Sequence, residues 1–99
     1  MTTTIITYIH EDLQHEAILV KHLGSSVELE EKLAEQFEAY ERSITLTDVA
    51  IFLMRNSEKY EIVNNGYFWK ESEFRKSEMF RAAHQEIEFA SDRYFQIYN

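Results

Sequence analysis

Two histidine–glutamate pairs, His10-Glu11 and His15-Glu16, are the residues whose types could perform chemistry in this chain. A zinc-protease motif begins with the same pair, but its second histidine follows four residues after the first, so that both lie on one helical face. Here the two histidines are five residues apart and would diverge. His22 follows His15 by two helical turns, which is too far for the two rings alone to hold one ion. We therefore expect no metal site, with these histidines at the surface or at strand edges.

Other catalytic signatures do not accompany these pairs. Gly24 and Gly66 stand alone, so no glycine-rich loop is available to cradle a phosphate. The serines lack the surroundings of a nucleophile elbow, and no carboxylate has the apolar neighbours that suit a general acid. The sequence thus predicts a non-enzymatic protein with no catalytic residue and no cofactor.

Acidic residues are concentrated in the first half of the chain. Residues 1–50 contain ten acids and three bases, residues 51–99 contain eight acids and seven bases, and the net charge is −8. A one-sided negative field attracts cationic partners and repels nucleic acid. The candidate partner-binding residues on one helical face of this acidic half are Glu28, Glu31, Glu35 and Glu38. We expect them to dock on a basic protein surface and not directly on nucleic acid; the open alternative is a solvated face that only keeps the protein in solution.

Glutamates on a helix can also imitate the phosphates of a nucleic acid. Carboxylates one turn apart are spaced about 5 Å along the axis, whereas duplex DNA carries one charge per ~1.7 Å, so one stripe is closer to a single strand than to a duplex. In size and composition the chain is similar to small acidic inhibitors carried by phages and mobile elements, including anti-restriction and anti-CRISPR proteins. No motif carries that similarity, so it assigns no family. It implies an inhibitor or regulator of a nucleic-acid-handling protein.

Length and composition are typical of one globular domain, residues 1–99. The chain has 44% hydrophobic and 28% charged residues, which argues against disorder. It has no cysteine, which fits a reducing compartment. The longest uninterrupted apolar run is Val49–Met54, far too short to span a bilayer. We expect a soluble cytoplasmic protein that does not contact membranes.

The first elements are a strand and a segment that fits two structures. Residues 3–9 are rich in β-branched side chains and favour a strand. Segment 11–23 fits a helix that ends at Gly24, which we favour. It also fits a strand in which Ala17–Val20 pairs back onto residues 4–9, because an apolar run does not distinguish the two.

A clearer helix follows. Ser25 and Glu28 form a capping-box pattern that predicts its start. The residues at helical spacing that would make its apolar stripe are Leu29, Leu33, Phe37 and Tyr40. The acidic residues then fall on the opposite, solvent-facing side of the helix.

A third helix is predicted over residues 49–60, with Thr47 or Asp48 as its cap. Residues 49–54 are apolar all round. We therefore expect this helix to be central and buried on most sides.

Segment 60–69 predicts a β-hairpin. Asn64-Asn65-Gly66 between β-rich flanks is a strong turn signal, because these residue types tolerate positive φ. The aromatic residues that follow the turn are Tyr67, Phe68 and Trp69. Because side chains alternate along a strand, at least one of these rings should be exposed, and aromatic rings are common interface anchors. These three residues are the second set of candidate partner-binding residues.

A three-four spacing of apolar residues predicts one long helix from about Ser72 to Tyr98. Its stripe consists of Phe80, Ala83, Ile87, Ala90, Tyr94 and Ile97. A seam of this length packs on another helix, and it would equally serve a homodimer.

Together these elements predict an α+β fold that is mostly helical, with a small antiparallel sheet made of the N-terminal strand and the 60–69 hairpin, and a long C-terminal helix. The order helix, helix, hairpin, helix resembles a winged helix, so the alternative function is a DNA-binding transcriptional regulator. The segment that would read DNA, Thr45 to Tyr60, contains only Arg55 and Lys59 as bases. Phosphate contacts need clusters of positive charge, so we favour binding to a basic protein surface.

Overall fold

A mixed sheet with helices on both faces makes up residues 1–10, 12–89 and 95–98, the part of the chain that the computed structural model describes. Along the chain the elements are β1 (Thr2–Ile9), β2 (His15–His22), α1 (Ser26–Phe37), α2 (Leu46–Arg55), β3 (Tyr60–Phe68), α3 (Glu71–Lys76), α4 (Glu78–Ala82), β4 (Gln85–Phe89) and β5 (Phe95–Tyr98). The strands lie in the order β3–β2–β1–β4–β5. The α+β class is found, but the predicted mostly helical architecture with a small antiparallel sheet is wrong.

β1 is the central strand and contributes side chains to two separate cores. It pairs antiparallel with β2 and parallel with β4, and the consecutive side chains of residues 3–7 are all buried. Ile5 and Ile6 point to opposite faces, and both are fully buried. The face of Ile6 packs against α1 and α2, and the face of Ile5 packs against α3 and α4.

Segment 11–23 contains a strand, so the helix that the sequence favoured is wrong and its alternative matches the structure. β2 pairs with β1 in a register that places Thr7 opposite Ala17 and Thr4 opposite Val20. A strand with neighbours on both sides and cover on both faces reads as a continuous apolar run, without the alternation of a half-buried strand. That run is why periodicity did not identify it.

The predicted 60–69 hairpin is also wrong. β3 runs through Asn64-Asn65-Gly66 as one strand that pairs with β2, with a bulge in the register between Leu19 and Val20. Gly66 does not adopt a positive φ. A Cβ at this position would lie 2.8 Å from Cε of Met79 and 2.9 Å from the ring of Phe68. The glycine is therefore needed for the close approach of the second core and not for a turn.

The predicted helix from Ser72 to Tyr98 is wrong, because this region forms α3, α4, β4 and β5. Ser77 ends α3 with an extended backbone, and its hydroxyl accepts the N–H of Phe80 at 3.2 Å to start α4. The predicted homodimer seam is lost with the helix, and two of its residues, Ala90 and Tyr94, lie outside the described residues. Without the hairpin and the terminal helix, the element order behind the winged-helix alternative is not found either.

The helices are short and are held by caps. The hydroxyl of Ser25 accepts the N–H of Glu28 at 3.2 Å, so α1 begins at the cap that the sequence predicts. The stripe of α1 that is buried in the first core consists of Leu29, Leu33 and Phe37, with Tyr40 packed at its margin. None of the helices in the described ranges combines the length and the apolar character needed to cross a lipid bilayer.

Candidate protein-binding site

An open groove of about 500 Å³ lies between α2 and the strands β2 and β3. α2 supplies one wall, and the two strands supply the floor and the other wall. Most of the lining is apolar, and Glu16 is its only charged side chain within the described residues. The lining residues that matter most are Ala50, Ile51, Met54, Glu16, Ile18 and Tyr67.

The apolar wall of the groove comes from a helix that the sheet covers on one side only. Leu46, Val49 and Leu53 are buried in the first core, whereas Ile51 is 42% exposed and Met54 is 66% exposed. The prediction that this helix is buried on most sides is therefore wrong. A helix that is apolar all round, with one side uncovered, leaves an apolar surface of the kind found at interaction sites.

A network around Asp48 fixes the start of α2. Thr45, and not the predicted Thr47 or Asp48, is the N-cap, and its hydroxyl accepts the N–H of Asp48 at 3.3 Å. Asp48 accepts the N–H of Thr45 at 2.9 Å and the guanidinium of Arg42 at 2.7 and 2.8 Å. The Arg42 hydrogen bonds, helped by those of Thr45, hold the pKa of Asp48 far below its ordinary value. Because this network sets where the helix begins, it also sets which residues face the groove.

The three predicted aromatic anchors divide between the two faces of the sheet. Tyr67 lines the groove and is 51% exposed, and Trp69 beside it is 68% exposed, with the two rings edge to face at 5.9 Å. Phe68 points to the other face and packs on Phe74, with 5.4 Å between ring centroids. The hydroxyl of Tyr67 donates to the side-chain oxygen of Gln14, which orients the ring. Tyr67 and Trp69, but not Phe68, are open to a partner.

Glu16 is the charged end of the groove, and His10 lies beside it. Nε2 of His10 lies 3.0 Å from Oε2 of Glu16, and the imidazole packs edge-on against Tyr8 with 4.6 Å between ring centroids. This contact orients the Glu16 carboxylate. The described ranges contain no group of three or more histidine, aspartate or glutamate side chains placed to hold a metal ion.

The predicted acidic face lies on α1 and just beyond its end. Its residues are exposed opposite the buried stripe, and they are Glu28, Glu31, Glu35 and Glu38. Lys32 approaches Glu35 at 3.8 Å, with both side chains largely exposed. Burial raises the pKa of the neighbouring Glu30, and the charge of Glu31 raises it further. Four glutamates against this one lysine leave the face net negative.

α2 separates this acidic face from the groove. A hollow of about 340 Å³ between α1 and α2 is lined by Glu35 on one side and Phe52 on the other. Ile51 and Met54 point to the opposite side of α2, into the groove. The structure thus places the two predicted sets of partner-binding residues on different surfaces and does not bring them together.

Two of the histidines are core residues, so the expectation that they lie at the surface or at strand edges is wrong. Nδ1 of His22 donates to the carbonyl of Leu23 at 3.0 Å and Nε2 accepts the hydroxyl of Thr4 at 2.8 Å, an arrangement that suits a neutral ring. His15 stacks on Phe74, and its Nδ1 is buried with no hydrogen-bond partner in the described part of the chain. Desolvation lowers the pKa of both histidines.

Ile51 and Met54 are the site residues that sequence reasoning missed. The signal was present, because an apolar run over residues 49–54 exceeds what cover on one side of a helix can bury. Comparison with known proteins assigns nothing further, since no family model, no curated protein and no solved structure matches this chain.

Proposed function

We propose that this protein is a binding module for another protein with a cationic surface, and that it catalyses no reaction. The observation that carries the proposal is the open groove, where Ile51, Met54 and Tyr67 are exposed together in a chain of net charge −8. Apolar side chains beside aromatic rings are typical of the centre of a protein interface, where most of the binding energy arises. Trp69 extends the same surface beyond the groove.

The acidic face of α1 would bring such a partner to the protein. Glu31 and Glu35 are exposed on it, and Lys32 is the one base within ion-pair distance of its glutamates in the described residues. Charges outside the contact raise the rate of association and orient the encounter more than they add affinity. In this proposal the acidic face steers the partner and the groove holds it.

The proposal extends to inhibition where the partner is a nucleic-acid-handling protein. A protein bound to the partner's basic surface would exclude nucleic acid from it. The carboxylates of one helical stripe recur about every 5 Å, too sparsely to copy duplex phosphates at ~1.7 Å, so exclusion would come from occupancy. We place this activity in the cytoplasm, because a chain without cysteine suits a reducing compartment.

Affinity capture with matched variants tests the role of the groove. Ile51→Ser with Met54→Ser removes the apolar wall, and Leu23→Ser with Val27→Ser removes exposed apolar side chains elsewhere as a control. Proteins captured from a lysate of the source cells are identified by mass spectrometry and then purified for direct affinity measurement. We expect a basic partner whose affinity falls by about tenfold or more with the groove variant and is unchanged by the control.

A second pair of variants tests the steering charge. Glu31→Lys with Glu35→Lys reverses the acidic face, and Glu58→Lys with Glu73→Lys makes the same change in net charge on other exposed positions. The first pair should slow association at low salt more than the second and leave dissociation unchanged. A captured partner that is not basic, or one that binds the groove variant as tightly as the wild type, overturns the proposal.

A further inference from the structure

β3 leaves one edge of the sheet open. Among the described residues it is the last strand on its side and pairs with β2 alone. Edge strands are commonly protected by short length, proline, lysine or a bulge. β3 is nine residues long and contains neither proline nor lysine, and its register with β2 has one bulge, between Leu19 and Val20. Its one charged side chain is Glu61. Within the described residues no further strand covers the outer side of β3, and the N–H of Asn65 donates to the side chain of Asn64 at 2.8 Å. The other backbone groups on that side are the ones that another extended segment can meet.

The groove lies directly beside this edge. Asn65, Gly66 and Tyr67 line the groove, whereas a Cβ at Gly66 and the side chain of Phe68 face the second core. A strand added to β3 continues the same alternation. Every second side chain of the added strand would then lie next to the apolar wall of α2.

Charge distinguishes between two occupants of the edge. A second copy of this chain would bring another net charge of −8 against the first, which disfavours self-association. A cationic segment is attracted instead, because it meets Glu16 at the end of the groove and Glu61 on the far face of the sheet. Lys59 and Lys70 lie beyond the two ends of the strand. The favourable positions for a lysine or arginine are therefore inside the two ends of β3, near Glu61 at its start and near Glu16, which is opposite Tyr67.

We propose that an extended segment of the cationic partner adds to β3 as a sixth strand, with apolar side chains in the groove and a lysine or arginine on the opposite face near Glu61. Strand addition of this kind takes affinity from backbone hydrogen bonds and specificity from alternate side chains. This inference rests on the proposed function and names the form in which the partner binds.

Peptides that differ only in blocked backbone nitrogens test strand addition. The probe is a fluorescent peptide in which leucine alternates with arginine, made unmethylated, methylated on every leucine nitrogen, or methylated on every arginine nitrogen. In an extended chain the two sets of N–H groups point to opposite edges, so only one set can pair with β3. We expect one methylated peptide to bind like the unmethylated one and the other to bind about tenfold more weakly or worse, since several backbone hydrogen bonds are lost.

Two further measurements locate the peptide. Amide exchange in residues 60–68 should slow when the unmethylated peptide binds. Glu61→Lys and the groove variant Ile51→Ser with Met54→Ser should both weaken binding, and Leu23→Ser with Val27→Ser should not. Equal affinity of the two methylated peptides, failure of every peptide to bind, or unchanged exchange in β3 overturns strand addition. A basic partner captured through the groove together with any of those results would leave the proposed function standing, so the two failures are distinguishable.

Discussion

The imidazole of His15 lies parallel to the ring of Phe74, with 5.2 Å between the two ring centroids. His15 is 4% exposed, and its Nδ1 is buried without a hydrogen-bond partner among the described residues. Desolvation therefore lowers the pKa of His15 from 6.5, and the negative charges of Glu71 and Glu86 offset this in part. His22 in the first core also has a lowered pKa, again mainly through desolvation. The fold thus holds two neutral imidazoles in its interior.

We expect the free energy of unfolding to fall as the pH drops below 6.5, the ordinary pKa of both histidines. The unfolded histidines bind protons below that value while the folded ones stay neutral to lower pH. Their contribution is therefore complete above pH 6.5 and is lost as the pH falls through the folded pKa values. Urea unfolding from about pH 8 to about pH 5 measures the effect.

His15→Leu is the control for this pH dependence, since it removes one of the two groups and should flatten the slope. Burial raises the pKa of Glu30 and Glu88 above 4.5, so these carboxyls act in the opposite sense as the pH falls, and the difference between wild type and His15→Leu isolates the histidine contribution. A free energy of unfolding that stays level or rises as the pH falls from 6.5 contradicts the prediction.

Gly66→Ala should destabilise the protein. The new Cβ would lie 2.8 Å from Cε of Met79 and 2.9 Å from the ring of Phe68, so the second core has to shift. We expect a loss of about 1–3 kcal/mol in urea unfolding, as is typical of overpacking. The double variant Gly66→Ala with Met79→Ala removes one of the crowded side chains. It should relieve part of the strain that the new Cβ adds. Stability unchanged by Gly66→Ala would mean that the glycine is there for another reason.

Arg75→Met should destabilise the protein through Glu86. The carboxylate of Glu86 is 5% exposed and accepts hydrogen bonds from Arg75 at 3.0 Å and from Thr7 at 3.3 Å. Removing the guanidinium leaves a buried charge short of partners, which costs roughly 1–3 kcal/mol. Glu71→Gln is the matched control, because Glu71 meets the same arginine at 3.5 Å in solvent and should change stability by about 0.5 kcal/mol or less. Equal losses for the two variants would disprove the role of burial.

Trp69 should report partner binding without a label. It is the only tryptophan of the chain, and it is 68% exposed beside Tyr67 at the groove. Its emission should move to shorter wavelength when a partner covers the groove, because the indole leaves water. The groove variant Ile51→Ser with Met54→Ser should lose this shift at the same partner concentration. A saturating partner that leaves the emission unchanged would place the interface elsewhere.

Local sequence signals predicted an element correctly where the residues of that element alone produce the signal. Ser25 caps α1 and Leu33 lies in its buried stripe as predicted, because a cap and a helical period need no other part of the chain. The exposure of Glu31 on the opposite side follows from the same period. These signals placed the acidic face on α1 correctly without showing whether it binds anything.

Long-range pairing decided the elements that the sequence mispredicted. Ile87 fits a helical stripe with Phe80 and Ala83, and it fits equally well in β4 opposite Ile6. Spacing cannot separate these choices, because the strand that offers the pairing lies at the other end of the sequence. The groove was missed for a similar reason, since the exposure of Met54 depends on how far the sheet extends beneath α2.

The parallel partner of β1 is synthesised late. Thr4 pairs with Val20, which follows soon after it, and with Gln85, which a ribosome adds only much later. The sheet therefore cannot be completed until β4 has been synthesised. Until then Ile5 and Ile6, which are fully buried in the folded protein, remain accessible to water. Such non-local closure slows folding and exposes the chain to aggregation in the interval. The order of synthesis therefore delays completion of the central sheet pairing until residues 85–89 have been made.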